Sequence, residues 1–114
     1  MRKNTVLYAM AKEFLDNFAN SAFLLVSMEK REKLENDGTQ KTGTRCLVEL
    51  PRGCGAYSRK RFTVTVWGIM PTLSEDDFDD ADYDITFSDL EITFVDGNGE
   101  VYGSAMEFKV AKAD

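Results

Sequence analysis

Seven carboxylates fall within the eleven residues from Ser74 to Asp84: Glu75, Asp76, Asp77, Asp79, Asp80, Asp82 and Asp84. No basic residue interrupts them. Calcium binding is the first chemistry to weigh. Asp80, Asp82, Asp84 and Glu91 stand at positions one, three, five and twelve of an EF-hand loop. Ile85, however, occupies the position where the sharp turn demands glycine. A second set, Asp96, Asn98, Glu100 and Glu107, fails at the same position, so no metal is expected. An acid–base pair is the next possibility. Catalytic carboxylates work by partial burial, which separates their pKa values, and seven like charges cannot be desolvated together. The plain reading is a solvated loop. The sharper one uses the charge directly. Carboxylates along an extended, solvent-facing segment imitate a phosphate backbone and enter a groove lined with Lys and Arg, steered there by long-range attraction. Phe78 and Tyr83, embedded in the run, would be its apolar anchors.

A second constellation is basic. Arg52, Arg59, Lys60 and Arg61 cluster with Tyr57, and Trp67 lies a few residues on. Cations interleaved with aromatics can hold a phosphate backbone and stack bases. The plain alternative is a hairpin end whose arginines pair with the acidic run. Gly53 and Gly55 do not make a phosphate loop, because no GK[ST] follows. Cys46 and Cys54 have no histidine to activate them, since the chain contains none, and that leaves neither a thiol–imidazole pair nor a zinc set. The serines sit in no GxSxG or SxxK pattern. A non-enzymatic protein without a cofactor is expected.

The chain has 114 residues and a formal charge of −6, a size that suits a single domain over 1–114. The charge is split. Residues 1–74 carry twelve Lys/Arg and seven Asp/Glu, or +5, and residues 75–114 carry two and thirteen, or −11. Two faces of opposite sign are expected. The longest apolar run, AFLLV, falls far short of the ~20 residues of a membrane span. The N-terminal apolar stretch is interrupted by Lys12, Glu13 and Asp16, unlike a signal peptide. A cytoplasmic protein with reduced thiols and no membrane partner is the expectation.

Leu7, Met10, Ala11, Phe14, Leu15 and Phe18 recur at three and four, which predicts a helix over 4–19 behind Asn4. Phe23 to Met28 reads as a strand before the NDG turn at Asn36–Gly38, with a helix running to Glu35 as the open alternative. RCLVEL and RFTVTVW read as strands, the acidic run as a loop, and DGNG as a hairpin turn. The apolar phase of ITFSDLEITFV shifts between Phe87 and Leu90, which predicts a bulge or break at Ser88–Asp89. The return strand places Tyr102, Ser104, Met106, Phe108 and Val110 on one face. The expected fold is α+β, an N-terminal helix packed on an antiparallel, curved sheet or partly open barrel of four to five strands.

Two resemblances bear on function. In size, acidity and the run SEDDFDDADYD, the chain resembles the anti-CRISPR and anti-restriction inhibitors of phages and plasmids. DITFSDLEITFVDGNGEVYGSAMEFKV resembles the C-terminal strands of accessory proteins from Gram-positive conjugative elements. The first implies an inhibitor whose acidic loop occupies the basic surface of a nucleic-acid-binding protein, such as a CRISPR effector or another defence nuclease. The alternative is an accessory protein that binds nucleic acid through the basic aromatic loop.

Overall fold

A computed structural model describes residues 13, 21–50, 60–96, 98 and 100–113. Strand makes up 60% of the described chain and helix 8%, so sheet pairing, not helix packing, organises it. The elements are β1 (Phe23–Leu34), β2 (Gln40–Glu49), β3 (Arg61–Trp67), a short helix α1 (Glu75–Asp80), β4 (Tyr83–Ser88), β5 (Glu91–Val95), β6 (Val101–Ser104) and β7 (Glu107–Lys112). They form one sheet in the order β5-β6-β3-β2-β1-β4-β7.

This overturns the expected helix on four to five antiparallel strands. The described residues form seven strands, β3 and β6 pair in parallel, and the sheet curls into a half-barrel. Apart from Glu13, which is helical and exposed, the helix expected over 4–19 lies outside the described residues.

The curl follows from two short links. β4 and β5 stand five strand spacings apart in the sheet order, as do β6 and β7, about 24 Å if the sheet were flat. Only Asp89 and Leu90 join the first pair, and only Ala105 and Met106 the second. Three Cα steps reach about 11 Å, so a flat sheet would tear both links. Curling closes the gap, and the Met106 amide donates to the Ser88 carbonyl at 2.9 Å where the links meet. The phase shift at Ser88–Asp89 is therefore a break and not a bulge, with Asp89 at φ 54°. The single return strand splits for the same reason, into β6 beside β3 and β7 beside β4.

Alternation builds the core. Phe62, Val64 and Val66 of β3 point to it, as do Cys46 and Val48 of β2, Ile85 and Phe87 of β4, and Val95 of β5. Phe23 sits at the centre, edge-on to Phe62 at 5.3 Å and 6.1 Å from Phe87. A bulge between Leu25 and Ser27 then keeps Met28 on the core side. Beyond Met28 the strand continues through charged residues, EKREKL, because β2 pairs with it as far as Leu34 and Gln40. The turn between them is closed by Asp37, whose Oδ1 accepts from the Thr39 amide at 3.0 Å and hydroxyl at 2.6 Å. These bonds hold the Asp37 carboxyl below its usual range, as bonds to the charged form must.

The crossover from β3 to β4 packs Ile69, Leu73, Phe78 and Ala81 against the core and is pinned twice. Thr44, fully buried, donates its hydroxyl to the Ile69 carbonyl at 2.6 Å. The Thr72 amide donates to Met28 Sδ at 3.4 Å. No helix among the described residues is long and apolar enough to cross a membrane.

Candidate functional site

The sheet face opposite the core carries a groove of about 380 Å³. Its floor follows from the register. Arg31 faces Gly43, and Gly43 faces Trp67. One row along, Glu29, Arg45, Thr65 and Ser104 follow one another across β1, β2, β3 and β6. The next row sets Thr63 beside Tyr102, which faces Phe94 on β5. Thr93 also lines the groove and donates its hydroxyl to the Tyr102 carbonyl at 3.2 Å. The Tyr102 and Phe94 rings lie 6.1 Å apart at 38°.

Charge on this face does not cancel. Arg45 donates through Nε to Glu29 at 2.6 Å, and Arg61 to Glu49 at 3.3 Å. These exposed pairs are each worth about 0–1 kcal/mol. Among the described residues Arg31, Lys33 and Lys41 form no ion pair. Lys33 and Lys41 are direct cross-strand partners, and like charges opposed in a sheet are unfavourable. Arg31 Cζ lies 5.9 Å from the Trp67 ring centroid, and Lys41 Nζ lies over the ring at 4.7 Å. Each contact contributes about 0.5–1 kcal/mol at an exposed site.

Trp67 reaches these cations because its neighbour has no side chain. A Cβ on Gly43 would overlap the Val66 carbonyl oxygen, and it would stand 2.8 Å from Trp67 Cα and 3.0 Å from Cε3. The first two are backbone atoms, so only parting β2 from β3 would relieve the clash. Gly43→Ala is therefore expected to destabilise the protein by about 2 kcal/mol and to disturb the emission of Trp67, the sole tryptophan. Urea unfolding checks this, and a loss below about 0.5 kcal/mol would contradict the close approach.

Of the described members of the basic set read from the sequence, Lys60, Arg61 and Trp67, only Trp67 lines this groove. Arg61 lies on the same face at the opposite end of β3, six residues or about 20 Å away, bound to Glu49. Lys60 is exposed ahead of the strand. Arg52, Tyr57 and Arg59 lie outside the described residues. Arg31, Lys33, Lys41, Arg45 and Tyr102 escaped sequence reasoning. No local signal marked the charged ones, because EKREK carries charge at every position and shows no period of two.

The acidic run is not an extended loop. Glu75–Asp80 is helical, with acids in the first turn where the helix dipole favours them. Asp77 Oδ2 accepts from the Ser74 amide at 2.8 Å. Glu75, Asp76, Asp79, Asp80 and Asp82 are exposed, while Asp84 is half-buried on β4. The two expected anchors turn inward. Tyr83 is 8% exposed, and Phe78 packs edge-on against it at 5.8 Å. The expected pairing of this run with the chain's own arginines does not occur among the described residues.

The calcium spacings do not survive folding either. Asp80 ends α1, Asp84 lies on β4 and Glu91 on β5, so the set spans three elements and not one loop. Asp96 Oδ1 is engaged by the amides of Asn98 and Glu100, each at 2.9 Å. No cluster of metal-ligating side chains occurs among the described residues. Cys46 is a buried core thiol whose pKa burial pushes up to about 12, which makes it a poor nucleophile. Cys54 lies outside the described residues.

The described chain is thus a curled seven-stranded sheet with a basic, aromatic groove on the face opposite its core. No protein-family model, curated protein or solved structure matches it.

Proposed function

We propose that this protein is a non-enzymatic nucleic-acid-binding module that uses the groove between Arg31, Lys33, Trp67 and Tyr102. One observation carries the reading. In a chain of net charge −6, Arg31 and Lys41 stand at the Trp67 ring and Lys33 directly opposes Lys41 across the strands, none of the three ion-paired among the described residues. An anion laid along the face relieves that repulsion. The adjoining hydroxyls and the Tyr102 ring suit sugar and base contacts. Gel shifts with labelled 20-nucleotide oligonucleotides at 50 and 200 mM salt test it. Retention that weakens at the higher salt is expected. No shift up to about 100 µM protein at 50 mM salt, the weak limit of non-specific binding, would sink it.

A second reading is an anti-CRISPR-like inhibitor that lays its acids on the basic surface of a CRISPR effector or other defence nuclease. It is favoured by the exposed Glu75, Asp76, Asp79, Asp80 and Asp82, none of them ion-paired among the described residues. It is weakened by the inward turn of Phe78 and Tyr83, which leaves charge without outward anchors. Partners captured from a bacterial lysate that are proteins and survive nuclease favour this reading. Partners lost with nuclease favour the groove.

A further inference from the structure

We infer that the groove takes single-stranded nucleic acid in a divided grip, with Trp67 positioning a phosphate clamp of Arg31 and Lys41 and Tyr102 serving as the base platform. This rests on the reading of the groove as a nucleic-acid site.

Trp67 is the obvious ring for stacking, and its surroundings argue against that use. The indole lies across Gly43, with backbone so near that no Cβ fits there. Lys41 Nζ stands over the ring at 4.7 Å, and Arg31 Cζ lies 5.9 Å from its centroid. A base stacked on Trp67 would first have to push these cations off. That would forfeit the ring contacts and the reach of both cations to a phosphate. Left in place, the ring holds two long, flexible side chains in one position, which lowers the entropy lost when an anion docks.

Tyr102 is placed differently. Its ring is half-buried, with Phe94 beside it at 6.1 Å, and no cation of the described chain stands over it. Thr63, its register partner, is four residues from Trp67 along β3, so clamp and platform are separated by roughly 14 Å. A strand that crosses both must present phosphate at one end and an unpaired base at the other. Duplexes hide their base faces in the stack, whereas single strands offer them to aromatic side chains.

The test uses the full chain with a 15-nucleotide oligo-dT, a 15-base-pair duplex and inorganic polyphosphate, each titrated at several salt concentrations. Oligo-dT is expected to bind at least tenfold tighter than the duplex. Arg31→Ala with Lys41→Ala should lower the slope of log affinity against log salt by about 1.4, two single-strand phosphate contacts. Trp67→Ala should lower that slope similarly, while Trp67→Phe, which keeps a ring, should stay near the parent. Tyr102→Ala should weaken oligo-dT at least tenfold with the slope unchanged, leave polyphosphate binding intact, and be rescued by Tyr102→Phe. If Trp67→Ala fails to fold, the Arg31/Lys41 pair and Trp67→Phe carry the clamp. The inference is overturned by equal affinity for duplex and oligo-dT, by a Tyr102→Ala loss under twofold, or by an unchanged slope in the Arg31/Lys41 variant. Failure to retain either nucleic acid would instead overturn the parent reading of the groove.

Discussion

Phe23→Ala is expected to cost about 4 kcal/mol of folding stability, the scale of a fully buried phenylalanine lost to a cavity. The position magnifies the effect. β1 joins the two arms of the sheet, with β2, β3, β6 and β5 on one side and β4 and β7 on the other. Only three residue pairs connect β1 to β4: Phe23 with Ile85, Leu24 with Asp84 and Leu25 with Tyr83. So short a ladder cannot hold the arms by backbone bonds alone. The Phe23 ring supplies the rest, touching Phe62 of one arm and Phe87 of the other. Urea unfolding should show the lost stability, and amide exchange should speed up first in β4 and β7. Phe23→Leu, which refills most of the volume, should recover about half. Loss of less than about 2 kcal/mol would mean that the arms are joined by something other than this ring.

The second large effect concerns binding. Replacing Arg31, Lys33 and Lys41 together with Ala is expected to lower affinity for single-stranded oligonucleotide about 10²- to 10³-fold at 50 mM salt. The salt slope should fall by about 2, as three phosphate contacts would be lost. Stability should hold or rise slightly, because the substitution removes the opposed Lys33–Lys41 pair. Affinity measured by anisotropy, beside a urea midpoint for the same protein, checks both halves. A loss below threefold with the fold intact would show that the groove is not where nucleic acid lies. Neutralising Glu75, Asp76, Asp79 and Asp80 in the same assay should leave affinity equal or raise it, since those carboxylates repel the ligand. The inhibitor reading predicts instead that this variant loses a protein partner.

Local pattern accounts for much of what could be read in advance. RFTVTVW alternates, which separates Phe62, Val64 and Val66 from Thr63, Thr65 and Trp67, and burial assigns the first set to the core face. β5 and β6 pair antiparallel where DGNG predicts a hairpin, and the Asp96 carboxylate accepts from the amides of Asn98 and Glu100. Cys46 falls within the strand pattern RCLVEL and is a buried core thiol. The charged half of β1 was harder to see. EKREKL has too little apolar content to signal a strand, and only its pairing with β2 makes it one. The acidic run shows the same dependence on tertiary context. Its charge suggested an extended loop, but Ser74 and the first-turn acids start a short helix whose Phe78 finds Tyr83.

Short segments of the chain thus encode a local grammar: side-chain alternation, turn chemistry, the split of charge between the two parts of the chain, and the glycine missing from each calcium-like loop. All of it acts within a few residues, through backbone dihedral preferences and side-chain period. The tertiary structure alone decided which strands became neighbours, and with that which side chains share a surface. Links of two residues at 89–90 and 105–106 force the sheet to curl. Register then carries Arg31 across Gly43 to Trp67 and sets Tyr102 beside Thr63. Such long-range pairings are chosen by the burial of the whole core, which no short segment encodes.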